Sequence, residues 1–261
     1  MHAASLELPA NFDLTAYLQR IGFSGTAEAD LATLQSLMRC QLFSVPFENL
    51  DVQAGKIVSL QPADIVDKIV NQRRGGYCYE VNGIFAMALQ TLGFEFRMVA
   101  CRPMFYAVRR PKTHMALVVH IDGKRWLCDL GFGSYGIRAP LDLDQLDDDI
   151  VQDYDRFRLS MSSDREYLLQ AWTDGQWVNQ YGFDLYAQEW IDFAPANYLN
   201  STHPDAVFVQ KPLLVQHHSD GRTILFGNSL KQIRCGETEQ RQFEAEEYPA
   251  LLQQYFALQP V

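Results

Sequence analysis

The sequence predicts an α+β protein in which a helical region precedes a sheet-rich one. Residues 13–94 place apolar side chains at spacings of three and four, the helical period. Residues 95 to about 183 read instead as short β-branched and aromatic runs separated by Asp-Gly pairs. With 261 residues, 48% of them hydrophobic, the chain can bury one large core or two to three small ones. No repeat or low-complexity linker divides the two textures, so the parts should pack closely.

Four stretches carry the helical pattern: "DLTAYLQRIGF" from 13, "DLATLQSLMRCQLF" from 30, "PADIVDKIVNQ" from 62 and "CYEVNGIFAMALQTLGF" from 78. In the last, Val81, Ile84, Phe85, Ala88, Leu89 and Leu92 share one face, and Gly93 is a plausible stop. Six strands follow: "EFRMVACRP", "THMALVVHID", "KRWLCDLGF", "RFRLSM", "EYLLQAWT" and "QWVNQYGF". Asp122-Gly123 and Asp174-Gly175 are hairpin turn signals. The acidic stretch 140–155 reads as a solvated loop. Beyond it come a mixed segment, two strands flanking Asp220-Gly221, and a closing helix with Pro249 in its first turn.

The formal net charge of −10 leaves no global basic surface for nucleic acid or anionic lipid. The amino-terminal stretch lacks a charged start and apolar run, and no segment reaches membrane-spanning length, so the expectation is a cytoplasmic protein without membrane contact. Five cysteines, at 40, 78, 101, 128 and 235, are an odd, scattered set without a C-x-x-C pair, which reads as free thiols.

Cys78 falls at the start of the fourth helix, where unpaired N–H groups and positive potential favour a thiolate. Gly75 and Gly76 allow close backbone approach or positive φ just before it. A buried structural cysteine is the competing reading. If Asp122-Gly123 form a two-residue turn, Ile121 faces Lys124, His114 lies opposite Gly131, and Asp129 lies opposite Ala116. His114 and Asp129 then share a face as diagonal neighbours, a base with its orienting carboxylate, unless His114 merely ends a strand beside an unrelated loop acid.

His120, next to the turn, should be exposed, and His203, His217 and His218 fit surface or satisfied polar positions. A zinc site from Cys101, His114, Cys128 and Asp129 lacks ligand spacing. "GFGSYG" at 131–136 matches G-x-G-x-x-G, yet no helix or βαβ unit follows it, which rules out the dinucleotide reading. Basic runs at Arg73-Arg74 and "VRRPK" (108–112) are solvated by default, although a polyanionic substrate would need such a patch.

Three separated elements, "RRGGYCYEVN", Thr113-His114 and "CDLGFG", resemble in order the motifs of the arylamine N-acetyltransferase family; "AYLQRIG", "VPFENLD" and "NYLNSTHPDAVF" resemble further family stretches. Leu130 stands where the family more often has valine. The resemblance, spanning roughly 16–210, implies a helical bundle over 1–94, a β-barrel-like domain over 95–195 and an α/β lid over 196–261. It implies a papain-like triad with Cys78 as nucleophile, His114 as base and Asp129 as orienter. Phe47, Tyr79, Phe132 and Phe208 are implied in the acceptor pocket, Thr113 and Gly131 near coenzyme A, and Glu80 and Asn82 as helix-start supports. The implied reaction takes acetyl from acetyl-coenzyme A to an arylamine, arylhydrazine or N-hydroxyarylamine through an acetyl-cysteine, with no metal, in a monomer or weak homo-oligomer. A macrolactam-forming amide synthase or a cysteine hydrolase could use the same three residues, and a binding protein could keep the fold.

Overall fold

The computed structural model describes residues 6–162 and 164–261; the first five residues of the stretch read above for a signal lie outside them. Helices α1 (Leu14–Ile21), α2 (Leu31–Ser44), α3 (Leu50–Gln53), α4 (Pro62–Val66) and α5 (Cys78–Thr91) fill the first third, with a short strand β1 (Phe47–Glu48) after α2. Asp13 and Asp30 begin α1 and α2 by accepting the N–H groups of Ala16 (3.1 Å) and Thr33 (2.7 Å). Gly22, with φ of 70°, closes α1, as only glycine does without strain. Every residue of α5 from Cys78 to Leu89 is buried, so this helix is enclosed on all sides and not only on its apolar face.

The middle of the chain forms β2 (Glu95–Pro103), β3 (His114–Ile121), β4 (Lys124–Cys128), β5 (Leu141–Asp142), β6 (Ile150–Gln152), β7 (Asp155–Met161), β8 (Tyr167–Thr173) and β9 (Gln176–Phe183). They make one antiparallel sheet in the order β5-β4-β3-β2-β9-β8-β7-β6, a curled half-barrel rather than a closed one. Both Asp-Gly pairs turn with two positive φ values, 51° and 77° at Asp122-Gly123 and 50° and 79° at Asp174-Gly175, the twist that matches paired strands.

The rest comprises α6 (Ala194–Thr202), α7 (Val207–Gln210), β10 (Leu213–His218), β11 (Gly221–Phe226), β12 (Ser229–Arg234), β13 (Glu237–Gln242) and α8 (Tyr248–Phe256). The second sheet runs β1-β10-β11-β12-β13, with Phe47 opposite Val215. Its edge strand therefore comes from residues 47–48, within the stretch read as helical, so this part is not built from residues 196–261 alone. Leu251, Leu252 and Phe256 of α8 pack on Leu214, Leu225 and Leu230 to form a separate small core.

Two local readings need correction. The acidic stretch 140–155 is not simply a solvated loop: it contains β5 and β6, and its Asp153 and Asp155 pair with the buried Arg138. The β12–β13 hairpin has no signature in the sequence because every residue of β13 is exposed and polar, leaving no alternation to read. Among the described residues, no helix is long and apolar enough to cross a membrane.

Candidate active site

Cys78 is the first residue of α5, and the geometry before it explains the glycine pair. Gly76 donates to the Pro46 carbonyl (3.3 Å) and accepts from Glu48 N (3.0 Å), so "GGY" runs beside "PFE". A Cβ on Gly75 would lie 2.0 Å from Pro46 O, and one on Gly76 would lie 2.7 Å from the Glu80 side chain. Close approach, not positive φ, is thus the requirement, and what approaches is the protein's own chain. Glu80 then fastens the helix start: its Oε2 accepts from Tyr77 N (3.0 Å) and its Oε1 from Lys68 Nζ (2.7 Å). Lys68 also meets Asp51 at 2.7 Å, and Arg74 reaches Glu48 at 2.7 Å and Asp51 at 3.3 Å. Three carboxylates face two cations, and burial followed by the neighbouring Glu48 pushes the Glu80 carboxyl up to about 7 despite Lys68.

His114 begins β3 and Asp129 follows β4. The hairpin keeps the expected register from Ile121↔Lys124 to Leu117↔Cys128. There β4 ends, so Ala116↔Asp129 and His114↔Gly131 do not form as ladder pairs; the chain leaves the sheet, yet Asp129 Oδ2 still meets His114 Nε2 at 2.7 Å. The other carboxylate oxygen accepts from Asn82 Nδ2 (3.1 Å) and Gly131 N (2.9 Å). Asn82 also donates to Met115 O (2.8 Å) and accepts from Leu130 N (2.9 Å). It is therefore not a helix-start support but a clamp joining α5 to the histidine strand and the aspartate loop.

Burial alone would raise the Asp129 carboxyl, but the charge of His114 and hydrogen bonds from His114, Gly131 and Asn82 outweigh it and hold it below the usual carboxylate range. For Cys78 the balance goes the other way. Burial, then the charge of Asp129, pushes the thiol up, against hydrogen bonding from the backbone of Met115 and Tyr79. The helix start by itself does not produce a free thiolate, contrary to what its position suggested. Ionisation in this setting requires a nearby site that takes the proton.

Cys78 and His114 face one cavity of about 310 Å³, with Thr113, Gly131, Phe132 and Phe208 also in its wall. Gly131 touches the Cys78 backbone so closely that a Cβ would sit 2.5 Å from Cys78 Cα. Phe47 and Tyr79, expected in the pocket, instead stand behind its wall. Phe47 packs on Phe208 with centroids 5.9 Å apart, and the Tyr79 hydroxyl donates to Thr113 O (2.9 Å). Their bulk is spent on packing because both belong to backbone segments that the glycine pair draws into the core. Asn200, which donates to the same carbonyl (3.0 Å) and lines the cavity, had no sequence signal beyond its motif.

His120 and His217 depart from expectation, whereas His203 at the surface and His218, paired with Thr223 at 3.3 Å, agree with it. His120 is half-buried, with Nε2 enclosed and unpartnered, because neighbouring strand residues cover it. His217 is buried with Nδ1 unpartnered; burial, then the charges of Arg222 and Arg138, holds it well below its ordinary value. His203 is exposed at the cavity mouth. Among the described residues, no group of three or more His, Cys, Asp and Glu could hold a metal ion.

A profile of the N-acetyltransferase family matches residues 30–260. An arylamine N-acetyltransferase from Mycolicibacterium smegmatis is 34% identical over 242 residues, covering 89% of this chain and 86% of that protein. The chain belongs to the arylamine N-acetyltransferase family. It is accordingly an acyltransferase. The fold agrees: the arylamine N-acetyltransferase of Nocardia farcinica superposes with a TM-score of 0.90 at 37% identity, covering 96% of this chain and 90% of that one. The Mycobacterium marinum arylamine N-acetyltransferase in complex with CoA superposes with a TM-score of 0.88 at 32% identity, over 94% and 92% of the two chains.

Proposed function

We propose that the protein transfers acetyl from acetyl-coenzyme A to the nitrogen of an arylamine, arylhydrazine or N-hydroxyarylamine, with Cys78 as nucleophile, His114 as base and Asp129 as orienter. The observation that carries this reading is one cavity holding the thiol and an imidazole whose Nε2 is tied to a buried carboxylate at 2.7 Å. With Nε2 so engaged, Nδ1 is the nitrogen left for the thiol proton. Moving that proton creates a thiolate and an imidazolium together, and Asp129 stabilises the cation. Ionisation is then internal to the site, which answers the penalty on an isolated thiolate.

The thiolate attacks the acetyl carbonyl; a new carbon–sulfur bond forms, the bond to coenzyme A breaks, and the departing thiolate takes the proton from His114. One thioester replaces another, so the intermediate lies close in energy to the donor. An aromatic amine, unprotonated at neutral pH, attacks the acetyl-cysteine; His114 accepts its proton, and the Cys78 sulfur leaves. Phe132 and Phe208 give the wall an apolar surface that suits an aromatic acceptor and disfavours water, the competing nucleophile. Thr113 and Gly131 lie where the donor's thiol arm would pass. A cytoplasmic setting suits the five cysteines, all free.

The test is acetylation of the protein by acetyl-coenzyme A without acceptor, read by intact mass. The parent chain should gain one acetyl group and lose it on adding an arylamine. Cys78→Ala should do neither, and a variant that still turned over would sink the scheme.

A further inference from the structure

One feature of the cavity is not used by the triad. The segment 103–111 forms one side of its mouth and contributes Arg109 and Arg110 to the lining. Among the described residues neither guanidinium has an ion-pair partner, whereas the neighbouring Lys112 is committed to Asp184 at 2.6 Å. Arg110 lies over the Tyr106 ring at 4.9 Å, its main-chain oxygen accepts from Arg102, and its Nε is enclosed without a hydrogen-bond acceptor. The one carboxylate in the same lining is Asp205. The cavity wall thus holds two guanidiniums against one carboxylate, in a chain whose net charge is −10.

A nucleotide thioester carries its charge on phosphates, and a protein of this overall charge repels it unless a local cationic patch opposes that field. Guanidinium is the group best matched to phosphate oxygens, through paired N–H donors in one plane. The tilted Phe105–Tyr106 ring pair, with centroids 4.3 Å apart, packs within the segment that presents these donors.

We propose that Arg109 and Arg110 form the phosphate subsite of the acyl donor, anchoring the diphosphate of a nucleotide thioester at the mouth while its thiol arm runs past Thr113 to Cys78. This rests on the acyl-transfer reading above and adds a place and a partner set for the donor's charge. It also assigns the basic run at 108–112 a task that the triad leaves open.

Two measurements on the full chain and on the Arg109→Gln/Arg110→Gln variant test it. Calorimetric titration with coenzyme A should show affinity falling about 10-fold or more in the variant, the size of one lost charged hydrogen bond. The ratio of kcat/KM for acetyl-coenzyme A to that for p-nitrophenyl acetate, a donor without phosphate, should fall by a similar factor. Unchanged coenzyme A affinity, or an equal fall with both donors, overturns the proposal. So does a parent chain that fails to bind coenzyme A. If coenzyme A binds as expected while no donor acylates Cys78, the acyl-transfer reading fails and the phosphate subsite stands.

Discussion

At the scale of single residues, the site depends on two demands that differ in kind, one electrostatic and one steric. Asp129 must remain an anion while 1% exposed, and it does so by accepting from His114, Asn82 and Gly131. Because its carboxyl is held below the usual range in the fold, its contribution to stability is present above the unfolded-state value and lost as pH falls through the lower folded-state value. Asp129→Asn keeps the shape but removes the charge opposite the imidazolium. We expect kcat to fall by about 10³-fold with little change in KM, checked by steady-state kinetics. Gly131 answers the steric demand. Gly131→Ala would press a methyl group against the Cys78 backbone, where nothing flexible can yield. A loss of about 1–3 kcal/mol in stability, together with lowered activity, should appear in denaturant unfolding and kinetics. The sequence made Cys78, His114 and Asp129 legible because each lies beside a local signal: a helix start, a strand start, a hairpin of countable register. Asn82 was not legible in the same way, since its three side-chain hydrogen bonds are all with residues at least 33 positions distant.

At the scale of elements, α5 is held by its first turn. Glu80 is the acceptor that fixes Tyr77 N, and it lies in a cluster with one more carboxylate than cations. A carboxyl raised from 4.5 to about 7 stabilises the fold most below its unfolded-state value, and that stability is lost as pH rises through about 7. The parent protein should therefore lose stability between about pH 5 and 8 relative to Glu80→Gln, which cannot ionise. The difference between their two Tm-against-pH curves should narrow by roughly 2–10 °C over that range, corresponding to about 1–3 kcal/mol. Parallel curves would show that Glu80 does not titrate there. The helix, its start and its stop at Gly93 were all readable from residue spacing. Its complete burial was not, because that depends on strands β2 and β3 lying over the face that carries Asn82.

At the scale of the whole molecule, a buried ionic junction ties the two sheets together. Arg138 and Arg222, 0% and 1% exposed, both pair with Asp155 at the start of β7. Arg222 belongs to β11, donates to Ser134 O (3.3 Å) and lies over the Tyr135 ring at 4.7 Å, so the second sheet grips the loop that follows Asp129. Arg39 of α2 joins through Asp153 at 2.9 Å. Asp155→Asn would strand two buried cations with too little opposing charge. The expected cost is about 3–5 kcal/mol, or roughly 10 °C in Tm by calorimetry, with partial recovery in Asp155→Glu. A drop of a degree or less would mean that water already screens the junction.

The sequence by itself determined the succession from helices to strands, the two tight turns and the hairpin register as far as Leu117↔Cys128, which leaves His114 and Asp129 close together. These follow from side-chain period and from backbone preferences a few residues long, so they are written locally. Tertiary structure alone decided that Phe47 and Tyr79 stand behind the pocket and that residues 47–48 complete a sheet begun at residue 213. It also decided that the acidic stretch supplies partners for buried arginines. Those outcomes depend on which distant surfaces meet, and a charge or an aromatic ring looks the same in the chain whether water, a substrate or another side chain will face it.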